Sequence, residues 1–188
     1  YFIKVPQYKT IRTIDYPVIG TDFYPTILDL ANIDLKPEEH VDGISLKPLF
    51  EQKSISDRPL YWHYPHYGNQ GGEPSSIILK DNYKLIHYYE DDRKELYNLA
   101  NDPSEQNDIS TKNREKTEEL YAQLSTWLKS VNANMASHDP EYNAEKDSLR
   151  DVWLRTKQLS NLENQRKRQL SKEFEPNATW WKSKPTID

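Results

Sequence analysis

The chain contains no cysteine. That absence excludes disulfide staples, thiolate catalysis and cysteine-ligated zinc, and leaves the compartment open. Apolar residues are scarce: they make up 35% of 188 residues, and mean hydropathy is -0.98. No apolar run approaches membrane-spanning length. Positive charge is not in excess either, and the net charge of -5 argues against a general nucleic-acid binder. Glycine is rare, with five in all. The opening residues, Tyr1-Phe2-Ile3-Lys4-Val5-Pro6, contain no methionine and carry no signal-peptide pattern. They read as the middle of a strand, so a fragment or a processed product is expected.

What is present is aromatic. Aromatics reach 12%, with 13 tyrosines, which argues against compositional disorder. The length suits one ordinary domain, or a small domain with an appendage. The polar composition predicts a modest core, with much of the chain lying on some other surface. The densest feature is Tyr61-Trp62-His63-Tyr64-Pro65-His66-Tyr67-Gly68-Asn69-Gln70-Gly71-Gly72, which holds three of the five glycines. That mixture is poor material for a core strand. It suits a loop that shows rings, imidazoles and amides to a polar ligand.

Around it the periodicity is legible. Phe2–Val5 suits a short strand. Thr21 is placed as the N-cap of a helix through Ala31, with Asp22 at its positive end and Pro25 tolerated in the first turn. Phe23, Ile27, Leu28 and Leu30 form its apolar stripe. Asp42-Gly43 marks a turn. Ser76–Leu79 and Tyr83–Tyr89 read as a hairpin linked by Lys80-Asp81-Asn82, and Glu95–Leu99 as a third strand. From about Thr111 to Val131, Leu120, Leu124, Trp127, Leu128 and Val131 repeat as a helix face that would cover the sheet. Strands followed by a helix predict an α+β layer. After Pro140, Leu149, Val152, Trp153, Leu159 and Leu162 keep helical spacing. Between Arg155 and Lys172 there are six basic residues and one acid, Glu163, a local charge of +5.

Five ordered blocks resemble the second half of type I sulfatases of the alkaline-phosphatase-like superfamily. They are Val18–Leu30 with its Asp22-Phe23-Tyr24-Pro25-Thr26 core, Asp42-Gly43-Ile44-Ser45-Leu46, Leu60–Ser76, Tyr83–Ile86, and Glu95–Glu105 with Asp102-Pro103. The resemblance covers about residues 1–143. It implies three parts: 1–58 as the end of the large α/β sulfatase domain, 59–137 as a small C-terminal α+β domain, and 138–188 as a helical or irregular extension.

The departures from that family matter as much. Sulfate-ester cleavage in the family needs a formylglycine made inside a Cys/Ser-x-Pro-x-Arg motif, and a divalent cation, usually calcium, held by hard oxygen ligands. Neither motif nor ligand set is found here, and Asp57-Arg58-Pro59 is no substitute. Calcium and formylglycine are therefore expected in an N-terminal portion, and the chain alone is expected to be inactive. That portion and a sulfated carbohydrate are the expected partners, in a periplasmic or secreted setting, without nucleic acid or a membrane span.

The candidate substrate-binding residues are His66, His63, Asn69 and Gln70. In an extended segment the two imidazoles can divide, one towards a ligand and one inward, and an imidazole suits sulfate or sugar hydroxyls. The amides can donate and accept. The plainer reading is a rigid loop whose rings fill a junction. The resemblance, which places this loop at the substrate-entry edge, favours His66. His87 reads as a packed or solvent-facing strand residue and His40 as a solvated loop residue. His138 has no supporting spacing. The basic run could hold a sulfated polyanion or simply face solvent, and Asn177-Ala178-Thr179 fits a glycan acceptor pattern that is frequent by chance. Two rivals stay open: a non-catalytic binding or assembly module, and a phosphodiesterase or phosphonate hydrolase of the same superfamily.

Overall fold

The computed structural model describes residues 1–8, 12–68, 72–137 and 139–174. The chain divides into two compact units, Tyr1–Ala136 and Ser137–Asp188.

The first unit opens without the expected strand. Over residues 2–5 no strand forms, because no described strand offers a ladder partner; instead Tyr8 N donates to Val5 O at 3.0 Å and curls the segment. A 3-10 turn, Gly20–Asp22, leads into α1, Phe23–Leu30. Thr21 is not the cap. Its hydroxyl is 3.4 Å from Asp42 O, while the Asp22 carboxylate takes the Ile19 N–H at 2.9 Å. Acidic side chains suit this end because the first N–H groups of a helix lack partners and carry partial positive charge. A short α2, Lys47–Phe50, follows with Pro48 in its first turn.

The sheet is a four-stranded antiparallel meander in the order β1-β2-β3-β4. Its strands are β1, Leu60–Tyr64; β2, Ser75–Lys80; β3, Tyr83–Tyr88; and β4, Lys94–Asn98. The hairpin forms as expected. Asp81 and Asn82 both have positive φ, 51° and 63°, as a two-residue type I′ turn requires. The expected loop is shortened: its first four residues belong to β1. Leu60 is buried, and exposure then alternates along Tyr61, Trp62, His63 and Tyr64. That is the period of a half-buried edge strand, and aromatic side chains suit such a pleated surface.

Register explains the core. Tyr61, Ile78, Leu85 and Leu96 lie opposite one another across all four strands. Onto this row packs α3, Arg114–Ser130, through Leu120 and Leu124. Ile78, Leu85, Leu96, Leu120 and Leu124 are fully buried. At the rim the Trp127 ring stacks on Tyr61 with centroids 4.6 Å apart and planes 3° apart. The expected α+β architecture, a small antiparallel sheet packed on a long helix, is present.

The second unit contains α4, Ala144–Trp153, a π turn at Leu154–Gln158, and α5, Leu159–Gln169. Leu149, Val152, Trp153, Leu159 and Leu162 are all exposed. Glu163 pairs with Arg166 at 2.8 Å and lies 4.0 Å from Lys167, so part of the basic run is neutralised locally. No helix among the described residues is long and apolar enough to cross a membrane.

Candidate functional site

Three polar constellations stand out in the first unit, and they differ in what they can do. The innermost centres on Asp22, whose side chain is wholly shielded from solvent. Its Oδ1 accepts from Ile44 N at 3.0 Å and its Oδ2 from Ile19 N at 2.9 Å. Arg58 Nη2 donates to both oxygens at 2.6 and 2.5 Å, while Nη1 reaches Asp42 O at 3.1 Å. Thr26 Oγ1 donates to Asp22 O at 2.6 Å and accepts from Leu46 N at 2.9 Å. Gly43 passes so close that a Cβ there would meet Thr21 O at 2.2 Å. A few steps away, Asp29 accepts from Ser45 Oγ at 2.6 Å and from Lys47 Nζ at 3.0 Å; the Ser45 hydrogen bond, and then Lys47, hold its carboxyl below the ordinary range. The Asp22–Thr26 and Asp42–Leu46 blocks are thus two halves of one polar lock. A carboxylate with every lone pair spent has no capacity left for acid–base work.

The second constellation lies on the helix-facing side of the sheet, one row beyond the apolar core. His63, Ser76, His87 and Lys94 stand opposite one another across β1 to β4. His63 Nδ1 lies 2.7 Å from Ser76 Oγ and 3.1 Å from Tyr89 OH, and the two hydroxyls also contact each other. His63 Nε2 lies 2.8 Å from Asn134 O. A carbonyl only accepts, so Nε2 carries the proton and Nδ1 receives one from a hydroxyl. Serine beside imidazole is the geometry of an activated nucleophile. Ser76, however, is wholly buried, and no substrate reaches it. Burial also raises the Tyr89 phenol. Along the row, His87 Nε2 meets Asp92 Oδ1 at 2.6 Å, which holds the Asp92 carboxyl low, and its ring lies edge-on to Tyr89 and Tyr121. His87 is a buried strand residue, as the packed alternative anticipates.

The third constellation is the neck of the loop after β1. His66 is exposed, with its ring edge-on to Tyr64 at 5.4 Å and 83°. Gly68 N donates to Gly72 O at 3.2 Å and closes the neck. Trp62, Tyr64 and Tyr67 are exposed beside it, at 37%, 54% and 52%. Of the four candidate residues, His63 turns inward with both ring nitrogens engaged, and His66 faces solvent. Asn69 and Gln70 lie outside the described residues, as do Gly71, His138, Asn177 and the Trp180-Trp181 pair. His40 departs from its solvated expectation: it is half-buried, its Nδ1 lies 3.2 Å from Gly43 O, and its ring meets Tyr24 edge-on. The cause is the tight Gly43 turn, which brings a carbonyl within reach.

Sequence reasoning missed Arg58, Ser76, Tyr89 and Asn134, and also Arg93, which pairs with Glu73, Asp91 and Glu95. Parity could have placed Ser76 on the core face, since it stands two positions from Ile78 in β2; that it meets His63 follows only from the β1–β2 register. Nothing in the sequence points to Asn134, 71 positions from its partner. Among the described residues, no group of three or more His, Cys, Asp or Glu converges on a point where a metal ion would sit. The donor sets among the described residues do not fit a calcium site.

Residues 1–134 match the family model "N-sulphoglucosamine sulphohydrolase, C-terminal". A sulfatase of Formosa agariphila is 37% identical over 102 residues, 49% of this chain and 18% of that protein. An N-acetylglucosamine-6-O-sulfatase of Bacteroides thetaiotaomicron is 35% identical over 97 residues, 48% of this chain and 17% of that protein. A solved structure of a protein in complex with its substrate D-glucosamine-2-N,6-O-disulfate superposes with a TM-score of 0.50 at 33% identity, covering 60% of this chain and 24% of that one. The chain therefore spans about a fifth of the length of these relatives. With the lock, the sheet and α3 all inside the matched span, the chain belongs to the N-sulphoglucosamine sulphohydrolase C-terminal family, the C-terminal portion of type I sulfatases.

Proposed function

We propose that this chain completes the fold of a sulfatase that hydrolyses sulfate esters of a carbohydrate, and that it forms one wall of the substrate cleft. The division is 1–58 as the end of the large catalytic domain, 59–137 as the small domain, and 138–188 as an extension. The observation that carries the reading is His66: an exposed imidazole among exposed rings, on a loop whose neck is closed. Rings offer apolar faces to the C–H side of a sugar, and the imidazole offers a hydrogen bond or a positive charge to hydroxyl or sulfate oxygens. Asn69 and Gln70 would add amide contacts. His63 serves the same loop from below, fixing the end of β1. The aminosugar sulfates named for two of the relatives support an aminosugar-containing substrate. The formylglycine and calcium belong to the N-terminal catalytic portion, and the enzyme works in the periplasm or outside the cell.

A site assembled from two folding units is an ordinary arrangement. In it His66 holds substrate and does no bond-breaking. The test is His66→Ala in the intact enzyme. It should lower kcat/KM on the sulfated sugar by about tenfold, the equivalent of ~1.4 kcal/mol, and change a minimal aryl sulfate far less. Equal losses on both substrates would overturn the reading.

A further inference from the structure

The turn between β3 and β4, residues 89–93, grips the His66 loop from both sides. On the β1 side, the hydroxyl of Tyr67, the residue next to His66, donates to Glu90 Oε1. On the β2 side, Arg93 Nη2 donates to Glu73 Oε2 at 2.9 Å, and Tyr89 N donates to Pro74 O at 3.0 Å. Between these grips, Gly68 and Gly72 join backbone to backbone. The loop is therefore held at positions 67, 73 and 74 by one short turn that comes from elsewhere in the sheet.

Arg93 is the centre of that turn. Nη2 goes to Glu73, Nη1 to Asp91 Oδ2 at 2.6 Å, and Nε to Glu95 Oε1 at 3.1 Å. Its guanidinium carbon sits 4.0 Å over the Tyr88 ring. All three nitrogens of the fork are spent on three different carboxylates: one on the loop, one in the turn and one on β4. A lysine, with its point charge, could not bridge the three in this planar arrangement. Without the guanidinium, Glu73, Asp91 and Glu95 would face one another as like charges, and Glu73, on the loop, is the one free to leave.

The geometry points to Arg93, with Glu73, Tyr67 and Glu90, as the positioning apparatus for His66: the turn sets where the imidazole stands against a sugar without touching the sugar itself. This rests on the reading of His66 as a substrate-holding group. It adds that the specificity of the loop is set by a turn 20 or more residues beyond the side chains it grips, Glu73 and Arg93 being 20 apart and Tyr67 and Glu90 being 23 apart.

The test uses Tyr67→Phe and Glu73→Gln, singly and together, each removing one grip while leaving the sheet and the ring at position 67 in place. In this chain, the His66 imidazole signals in NMR should shift or broaden in each variant, and more in the double variant, while His63 signals stay fixed. In the intact enzyme, KM for the sulfated sugar should rise by about three- to tenfold with kcat nearly unchanged, since alignment and not chemistry is lost. Arg93→Lys, which keeps the charge but loses the planar fork, should raise KM in the same way. Unchanged His66 signals in the double variant would overturn the positioning role, whatever His66→Ala does. Shifted signals with an unchanged KM, while His66→Ala raises it, would likewise overturn it. If His66→Ala has no effect on the sugar, the substrate-binding reading falls by itself, and the NMR arm still decides whether the turn holds the loop.

Discussion

Arg58 and Arg93 each draw together segments far apart in sequence, and the settings of the two could hardly differ more. Arg58 meets Asp22 with side-chain exposures of 18% and 0%, whereas Arg93 meets Glu73 with exposures of 37% and 46%. In the first case a charge that loses its partner is stranded out of water. In the second, water replaces the partner at once. Burial of an ion pair is therefore what separates an arginine that holds the fold from one that only aims a loop. Buried pairs need not add net stability over an apolar pair, yet breaking one is costly because the desolvation is not refunded. Exposed pairs contribute little to stability but can still bias a geometry.

The largest effect should come from Arg58→Ala. It leaves the Asp22 carboxylate in the interior with only two backbone donors, and a loss of about 3–5 kcal/mol is expected in denaturant unfolding. Adding Asp22→Asn in the same chain should recover part of that loss, because the stranded charge is gone. If Arg58→Ala costs no more than Glu73→Gln, the contrast between the two arginines collapses. Next is Leu124→Ala, which opens a cavity between α3 and the fully buried Leu85 and Leu96. It should cost about 2–5 kcal/mol and move thermal unfolding of the sheet and helix together. His63→Ala comes third. It removes the Nδ1 acceptor of the Ser76–Tyr89 hydroxyl pair and the donor to Asn134, and leaves that pair one acceptor short, at about 1–3 kcal/mol. The His66→Ala variant, at an exposed position, should show no comparable shift in Tm.

How much of this the sequence disclosed depends on the range of the interaction. The β2–β3 hairpin was legible because Asp81-Asn82 states its own turn type, and α3 because its apolar face repeats at a fixed period. β1 was not, because residues 60–64 carry the alternation of a strand but continue into Pro, His and Gly, and the composition of the whole segment concealed its first half. Thr21 looked like a cap by residue type, while the carboxylate one position later does the work. The two-way split of His63 and His66 was foreseeable from an extended backbone; which one turns inward follows from the register with Ser76, a long-range fact. The Asp22–Arg58 pair spans 36 positions and has no local signature. Family resemblance flagged the Asp22 and Asp42 blocks, but their meaning as one lock needed the chain folded.

Acid titration tests the shallow carboxylates. Asp102 accepts from the backbone N–H groups of Gln106 and Asn107, at 3.1 and 2.8 Å, and these two bonds hold its carboxyl below the ordinary 3.8. A depressed folded value means that the ionised form is favoured by folding. The contribution is complete above the unfolded pKa and is lost as pH falls below it. Asp102→Asn, by removing that contribution, should lower Tm slightly at pH 7 and converge on the wild type at low pH, so that the decline in Tm below about pH 4 is flatter. A decline that stays as steep would place the acid sensitivity elsewhere, with Asp29 the next carboxylate to replace, since its hydrogen bond from Ser45 lowers it in the same direction.

The smallest effect on stability should be that of Glu73→Gln, and it sharpens the comparison most. The Glu73–Arg93 pair is exposed on both sides, so its loss should change unfolding free energy by less than about 1 kcal/mol, and less again as salt is raised. Arg93 keeps Asp91 and Glu95, and its stacking on Tyr88 persists, so the turn itself stays folded. If Tm is unchanged while the sugar KM rises, Arg93 aims the loop and Arg58 holds the fold. If instead Glu73→Gln destabilises the chain as His63→Ala does, the neck of the loop is part of the packed structure. Exposure would then be a poor guide to which arginine can be touched without cost to the fold.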